Sequence, residues 1–251
     1  MGFLRSRIRL DEVDSTSSLA RRLLAEGGAS SLPLLIRADR QTAGRGRGDH
    51  TWWSDPGGLA FTLVLDPARH GLRKDQEPRL ALVAALSLID AIGPLPAGVE
   101  AGVRWPNDVE ADGRKLAGLL PERVETADGP RLLLGVGVNV AGGLEAAPEA
   151  VRAMATTVER IRGGPAEPGA LLSGFLDAFA VGLERLAGDD PSLAEEWDRR
   201  DLLRGRSVSI DLGAGRVVRG VGRGIDRLGG LMVQVAGERE PRPFYGGQVL
   251  R

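Results

Sequence analysis

Residues Gln41 to Trp53 read Q-T-A-G-R-G-R-G-D-H-T-W-W, with three glycines and two arginines in the five positions from Gly44 to Gly48. Glycine lets successive backbone N–H groups turn toward one point, which makes an anion-binding concavity. Arg45 and Arg47 add planar, always-charged forks that match carboxylate and phosphate. Such a loop suits closure over an anionic small molecule; a solvated basic turn is the plain alternative. A second group is Arg104-Trp105-Pro106-Asn107-Asp108-Val109, followed by Lys115 and Gly118. The Asn107 amide donates and accepts, as reading the edge of a base requires. Asp108 suits a Mg2+ ion that also holds phosphates, and Lys115 a point of developing negative charge. Taken alone, W-P-N-D reads first as a β-turn and Lys115 as a solvated strand lysine. A third group, Gly135-Val136-Gly137-Val138-Asn139, puts two glycines on one face of a strand and an amide at its end. Glycines so placed mark a bulge or a close approach, here room for a flat ligand that Asn139 would bond. The fourth is Asp14-Ser15-Thr16-Ser17, a helix N-cap that also leaves N–H groups free for a ligand.

These groups need elements to hold them. Ile8 to Val13 reads as a strand, and Leu19, Ala20, Leu23 and Leu24 are spaced for one face of a helix ended by Gly27-Gly28. Leu34 to Ile36 and Leu59 to Leu65 read as buried strands, and Arg79 to Ile92 as a buried helix. Val103 to Trp105 and Leu116 to Leu120 are expected to pair, with hairpin-turn residues from Glu110 to Gly113 between them. Arg131 to Val140 is a further strand. Ala150 to Ile161, Leu171 to Leu186 and Ser192 to Arg200 are expected to be helical. Beyond Leu203 the pattern changes to short strands at Ser207 to Ile210, Val217 to Gly222, Leu231 to Val235 and Val249-Leu250. The expected organisation is a first domain over 1–202 and a small all-β domain over 203–251.

Composition narrows the function classes. At 251 residues the chain suffices for one large domain, or one and a small companion. A net charge of −1 argues against a nucleic-acid binder driven by bulk charge. No cysteine is present, which excludes disulfides, thiolate metal sites and cysteine nucleophiles and fits a reducing, cytoplasmic setting. Two histidines, His50 and His70, are too few for a multi-histidine metal centre. No apolar run reaches transmembrane length, and no membrane partner is expected.

The four groups, in this order, resemble biotin protein ligases. That family carries S-T-N at a strand–helix junction, Q-x-x-G-R-G-R-x-G-R-x-W, K-W-P-N-D with a lysine before G-I-L, and G-I-G-I-N. This chain has Ser15-Thr16-Ser17, Gln41 through Trp52, Arg104 through Asp108 with Lys115 before Gly118-Leu119-Leu120, and Gly135 through Asn139. Near the C-terminus, Gly205-Arg206-Ser207-Val208, Gly224-Ile225-Asp226 and Gly246-Gly247-Gln248-Val249 resemble runs in the family's SH3-like barrel.

The resemblance implies an α+β fold: a biotin/lipoate-ligase-like mixed sheet with flanking helices, then the small SH3-like barrel. It implies that biotin and MgATP form biotinyl-5′-AMP, whose acyl group passes to one lysine of a biotin carboxyl carrier protein. Lys115, Arg45 and Arg47 would be catalytic. Ser15, Thr16, Ser17, Gln41, Arg45, Gly46, Arg47, Lys115, Gly118, Gly135 and Gly137 would meet biotin. Gly44, Arg45, Arg47, Trp52, Asn107, Lys115 and Asn139 would meet ATP, and Asp108 the Mg2+ ion. Trp52 would pack beneath the loop. A monomer or weak homodimer is expected.

Three departures stand out. Ser17 replaces the family's Asn, Arg104 replaces Lys, and Asp49-His50 replaces Gly-Arg inside the loop. The last removes an arginine and a glycine, so weaker retention of the intermediate is expected. No room remains ahead of the first strand for a helix-turn-helix, so a monofunctional type without operator binding is expected. Lipoate or octanoate transfer on the same fold lacks the arginine-rich loop with R-W-P-N-D. A non-catalytic sensor would not need Lys115, Arg45 and Arg47 together. A phosphate-loop NTPase would need a glycine-lysine-serine/threonine ending that the loop lacks.

Overall fold

Alternation and its absence explain the main sheet. In the computed structural model, which describes residues 2–29, 31–54, 56–142 and 144–250, seven strands form one sheet. They are β1 (Ser6–Val13), β2 (Leu34–Gln41), β3 (Leu59–Leu65), β4 (Ala101–Arg104), β5 (Asp108–Ala111), β6 (Arg114–Thr126) and β7 (Gly129–Val138). Their order is β1-β2-β3-β7-β6-β5-β4, with β1 parallel to β2 and every other pair antiparallel. Every residue of β3 is buried, because both faces of the sheet are covered there. One face carries Leu35, Phe61, Leu63, Leu134 and Val136 against α2 (Leu80–Ile92) and α5 (Pro168–Ala187). Phe61 meets Phe175 edge-on at 5.3 Å, and Phe175 stacks on Phe179 at 5.4 Å.

The opposite face is divided. Leu34, Ile36, Val64 and Leu133 pack under Ala20 and Leu24 of α1 (Thr16–Ala25). Beyond the N-terminus of α1 the register places Ala38, Ala60, Thr62, Gly135, Gly137 and Gly118 side by side on that same face. Small side chains keep this end of the sheet low and leave room above it.

Most expected elements are present, with three differences. Val103 to Trp105 does not pair with Leu116 to Leu120. β5 lies between them, so the chain makes two successive hairpins. Glu110 is a buried strand residue, and the second turn is made by Asp112-Gly113, both at positive φ. The expected helix from Ala150 to Ile161 is broken into α3 (Glu149–Met154) and α4 (Val158–Arg162). Thr157 caps α4 by accepting from Arg160 N, and Thr156 N donates to the Lys115 carbonyl at 2.9 Å. The break is therefore a docking point on β6. The last 3₁₀ turn ahead of α2 starts at Glu77, and α6 (Ser192–Arg199) is present as expected.

Downstream, β8 (Ser207–Asp211), β9 (Val217–Ile225), β10 (Leu231–Val235), β11 (Arg242–Phe244) and β12 (Gln248–Val249) form a separate antiparallel sheet ordered β11-β10-β9-β8-β12. β11 went unread in the sequence: it is short and begins Arg-Pro. The chain between the sheets is stitched to the edge of β4, where Val103 N donates to Arg200 O at 2.7 Å and Leu202 N to Val103 O at 3.0 Å. The buried Trp105 donates from Nε1 to Gly229 O at 2.9 Å, which seats the second sheet on the first. No helix among the described residues is long and apolar enough to cross a membrane.

Asp201 sits buried in this junction. Its Oδ1 accepts from Leu203 N at 3.0 Å, and Oδ2 has no partner among the described residues. Burial pushes the carboxyl up from 3.8 to about 6. Because the folded value is the higher one, the penalty is absent below about 4. It grows as pH rises from about 4 and levels off above about 6, once the buried group is ionised. Asp201→Asn keeps the acceptor for Leu203 and removes the charge. Urea melts at pH 8 should show the variant more stable by roughly 1–3 kcal/mol, with the difference closing by pH 4. A variant less stable than the parent at pH 8 would refute this.

Candidate active site

Above the low end of the sheet lies a cavity of about 1050 Å3, large enough for two ligands of nucleotide size. Of the residues expected to meet substrates, all line it except Gly44. Gly44 lies beneath: a Cβ there would fall 2.5 Å from the Trp52 carbonyl oxygen, so its role is to let the loop fold on itself.

At one end, α1 begins. Ser15 caps it, accepting from Ser18 N. Gln41, at the end of β2, accepts through Oε1 from Thr16 N at 2.8 Å and from Thr16 Oγ1 at 3.2 Å. Thr62 Oγ1 donates to Thr16 Oγ1 at 2.9 Å, and Ser17 Oγ lies 2.9 Å from Thr62 Oγ1. A hydroxyl has one proton, and that of Thr62 goes to Thr16, so Ser17 donates to Thr62. The relay Ser17 to Thr62 to Thr16 to Gln41 is continuous. Thr62 was missed in the sequence because it sits inside an apolar strand; a lone threonine in a fully buried run was the available signal. Ser17 also explains Gly135, since a Cβ there would lie 2.8 Å from Ser17 Oγ.

Residues 44–52 form a small hairpin. Gly46 N donates to His50 O at 2.8 Å, Trp52 N to Gly44 O at 2.9 Å, and Arg45 pairs with Thr51. Trp52 then lies flat over the sheet. A Cβ at Gly137 would come 2.7 Å from Trp52 Cδ2 and Cζ2, and one at Gly118 would come 3.3 Å from Cζ3. The expectation that these glycines leave room for a flat ligand is corrected here. In this structure the room over Gly137 is taken by the indole and that over Gly135 by Ser17.

The three expected cations reach the cavity, and each has a protein partner. Lys115 Nζ is 2.7 Å from Asp108 Oδ1 and 5.9 Å from the Trp52 ring centroid. Asp108, Glu110 and Lys115 share one face of the β5–β6 hairpin, owing to a bulge between Val109 and Glu110. Arg45 Nη2 is 3.1 Å from Glu122 Oε1, which also binds Arg21 of α1 at 2.7 Å. Glu122 is a further residue the sequence did not reveal, since nothing local links it to Arg45. Arg47 donates from Nη1 to Gly247 O at 2.5 Å. Asn107 Nδ2 donates to Leu119 O at 2.9 Å and Asn139 Nδ2 to Lys115 O at 3.3 Å, so each amide is anchored on β6.

Among the described residues, no three His, Cys, Asp or Glu side chains cluster to hold a metal. The Asp108 carboxylate faces the Lys115 ammonium, which would repel a dication. The donor set does not make a protein cage for Mg2+.

Comparison with known proteins agrees with this arrangement. Residues 14–139 match the model of the biotin/lipoate A/B protein ligase family. The chain is 33% identical to a biotin–[acetyl-CoA-carboxylase] ligase of Mycobacterium tuberculosis over 91% of its own length and 84% of that protein's. It is 35% identical to one of Paracoccus denitrificans, over 95% of this chain and all of that one. The structure resembles a biotin protein ligase from Aquifex aeolicus solved with biotin and ATP, with 29% identity, a TM-score of 0.79 and coverage of 98% of this chain and 97% of that chain. A hydroxyl relay, a cationic loop and a paired lysine on one cavity, with relatives matched along nearly their whole lengths, place this chain in the biotin protein ligase family.

Proposed function

We propose that the protein joins biotin to one lysine of a biotin carboxyl carrier domain, in two steps. A biotin carboxylate oxygen attacks the α-phosphorus of ATP, the bond to the β-phosphate breaks, and pyrophosphate leaves. The carrier's lysine amine then attacks the acyl carbon, AMP leaves, and the amine gives up its proton. The observation that carries this reading is the meeting of Arg45, Arg47 and Lys115 with the Ser17–Thr62–Thr16–Gln41 relay on one cavity. Carboxylate and triphosphate repel each other, so the first step needs no protein nucleophile. It needs both anions positioned and their charge offset.

In this reading Ser15, Thr16, Ser17 and Gln41 hold the biotin ring, while Gly118, Gly135 and Gly137 let the Trp52 indole and Ser17 settle against the sheet beneath it. Arg45, Gly46, Arg47 and Lys115 take the carboxylate and later the adenylate phosphate, exchanging their protein acceptors for substrate oxygens. Asn107 and Asn139, each with one N–H bonded to β6, keep the other N–H and the carbonyl oxygen for the adenine side. Mg2+ arrives on the phosphates as part of MgATP, which suits an ion that retains most of its water. Residues 1–202 form the catalytic domain and 203–251 an SH3-like barrel.

Mass spectrometry of a carrier domain incubated with the protein, biotin and MgATP should show one added biotinyl group on one lysine. Lipoate and octanoate offered in parallel should give no pyrophosphate above background. Pyrophosphate released with either of those acids and none with biotin would overturn the assignment.

A further inference from the structure

The cationic loop is tied down from outside the catalytic sheet. Its tip meets the turn leading into β12: Arg47 donates to Gly247 O, and His50 Nε2 lies 3.1 Å from Gln248 Nε2. With the Gln248 amide in this orientation its nitrogen donates and the ring nitrogen accepts, which puts the imidazole proton on Nδ1. Gln248 does not float. It pairs with Asp211 in the β12–β8 ladder. Two residues on, Leu250 O accepts from Arg104 Nη2 at 3.1 Å. Arg104 pairs with Asp108 across the β4–β5 hairpin, so the segment 247–250 reaches from the loop that carries Arg47 to the hairpin beside Lys115. It supplies part of the cavity's lining.

We infer that the segment Gly247–Leu250 is a strap that holds the cationic loop closed before substrate arrives. His50 and Gln248 are the positioning residues of this contact, acting on the intermediate through Arg47. The inference rests on the ligase reading above and adds to it the group that governs retention of the acyl-adenylate. The loop departure acquires a reason. Asp49-His50 gives up an arginine and a glycine that a ligand would have to order, and gains a hydrogen bond to the second sheet that orders the hairpin without a ligand. Retention of the mixed anhydride then depends on the junction between the two sheets, and opening the strap is what admits the carrier's lysine. The contact is exposed, so each partner should contribute the modest amount of a single hydrogen bond, about a three- to tenfold effect.

Two measurements on His50→Ala, Gln248→Ala and the double variant test this. In ligand-free protein, hydrogen exchange at the Gly46 and Trp52 amides should speed up about three- to tenfold in each single variant. The double variant should be no faster than the faster single, because both changes remove one contact. This arm needs no catalysis and stands even if biotin proves the wrong acid. Where the parent makes biotinyl-adenylate, its release without carrier should rise by a similar factor in all three variants, with the biotin KM little changed. Because the strap acts through Arg47, the His50→Ala and Gln248→Ala effects on release should shrink in an Arg47→Lys background. Exchange at Gly46 and Trp52 within twofold of the parent in both singles, or single effects that multiply in the double, would overturn the strap.

Discussion

Lys115→Ala should lower the single-turnover rate of biotinyl-adenylate formation by about 10²–10³-fold, the usual consequence of removing one preorganised charge from a reacting centre. The side chain is a third exposed and its loss leaves no hole in the core, so the melting temperature should barely move. The effect has two sources. The ammonium that would meet the carboxylate and phosphate is gone. In addition, Asp108 keeps its negative charge in a cavity built for anions, 2.7 Å from where its counter-ion was. The second source can be isolated. Lys115→Ala with Asp108→Ala should bind ATP better than Lys115→Ala alone, while still forming adenylate far more slowly than the parent. Rapid-quench measurement of pyrophosphate decides it. A rate for Lys115→Ala within threefold of the parent would show the lysine to be a partner of Asp108 and nothing more.

Gly137→Ala should be more damaging than the same change at Gly135 or Gly118. The new carbon would sit 2.7 Å from two atoms of the Trp52 indole, in a strand whose backbone is held on both sides by β3 and β6. The strand cannot retreat, so the ring must, and the ring carries the base of the hairpin with it. Overpacking of this kind costs about 1–3 kcal/mol. Adenylate formation should fall about tenfold or more, since the displaced hairpin carries Arg45 and Arg47. Gly135→Ala should do less, because it meets only the Ser17 hydroxyl at the end of a side chain that can rotate, and Gly118→Ala less again at 3.3 Å. Trp52→Ala combined with Gly137→Ala makes room for the methyl and should recover most of the melting temperature lost by Gly137→Ala. No recovery in that pair would mean that the strand itself, not the indole, is what the methyl disturbs.

Much of this was legible in the linear chain because its causes are local. β3, α1, β10 and α5 follow from runs and spacings of apolar residues within a few turns of one another, and the Ser15 cap from three adjacent residue types. The break at Ala155 to Thr157 was not legible. The β-branched run Thr156-Thr157-Val158 weakens the helix there, but the place of the break is set by partners distant in sequence: Thr156 N donates to Lys115 O and Val158 N to Asn139 O. β5 was hidden for a similar reason. Four residues between two turns carry too little periodicity to be seen, and only pairing on both sides makes them a strand.

The amino-acid sequence by itself determined which residues could do chemistry here, and in what order: short motifs hold charge, hydroxyl and glycine at spacings that any backbone must respect. Only the tertiary structure decided their partners. Arg45 and Glu122 are 77 positions apart and Arg47 and Gly247 are 200. Trp52 and Gly137 meet only because β3, which follows the hairpin, pairs in register with β7. A side chain's contacts across such distances depend on how sheets stack and loops dock, and no local pattern encodes that.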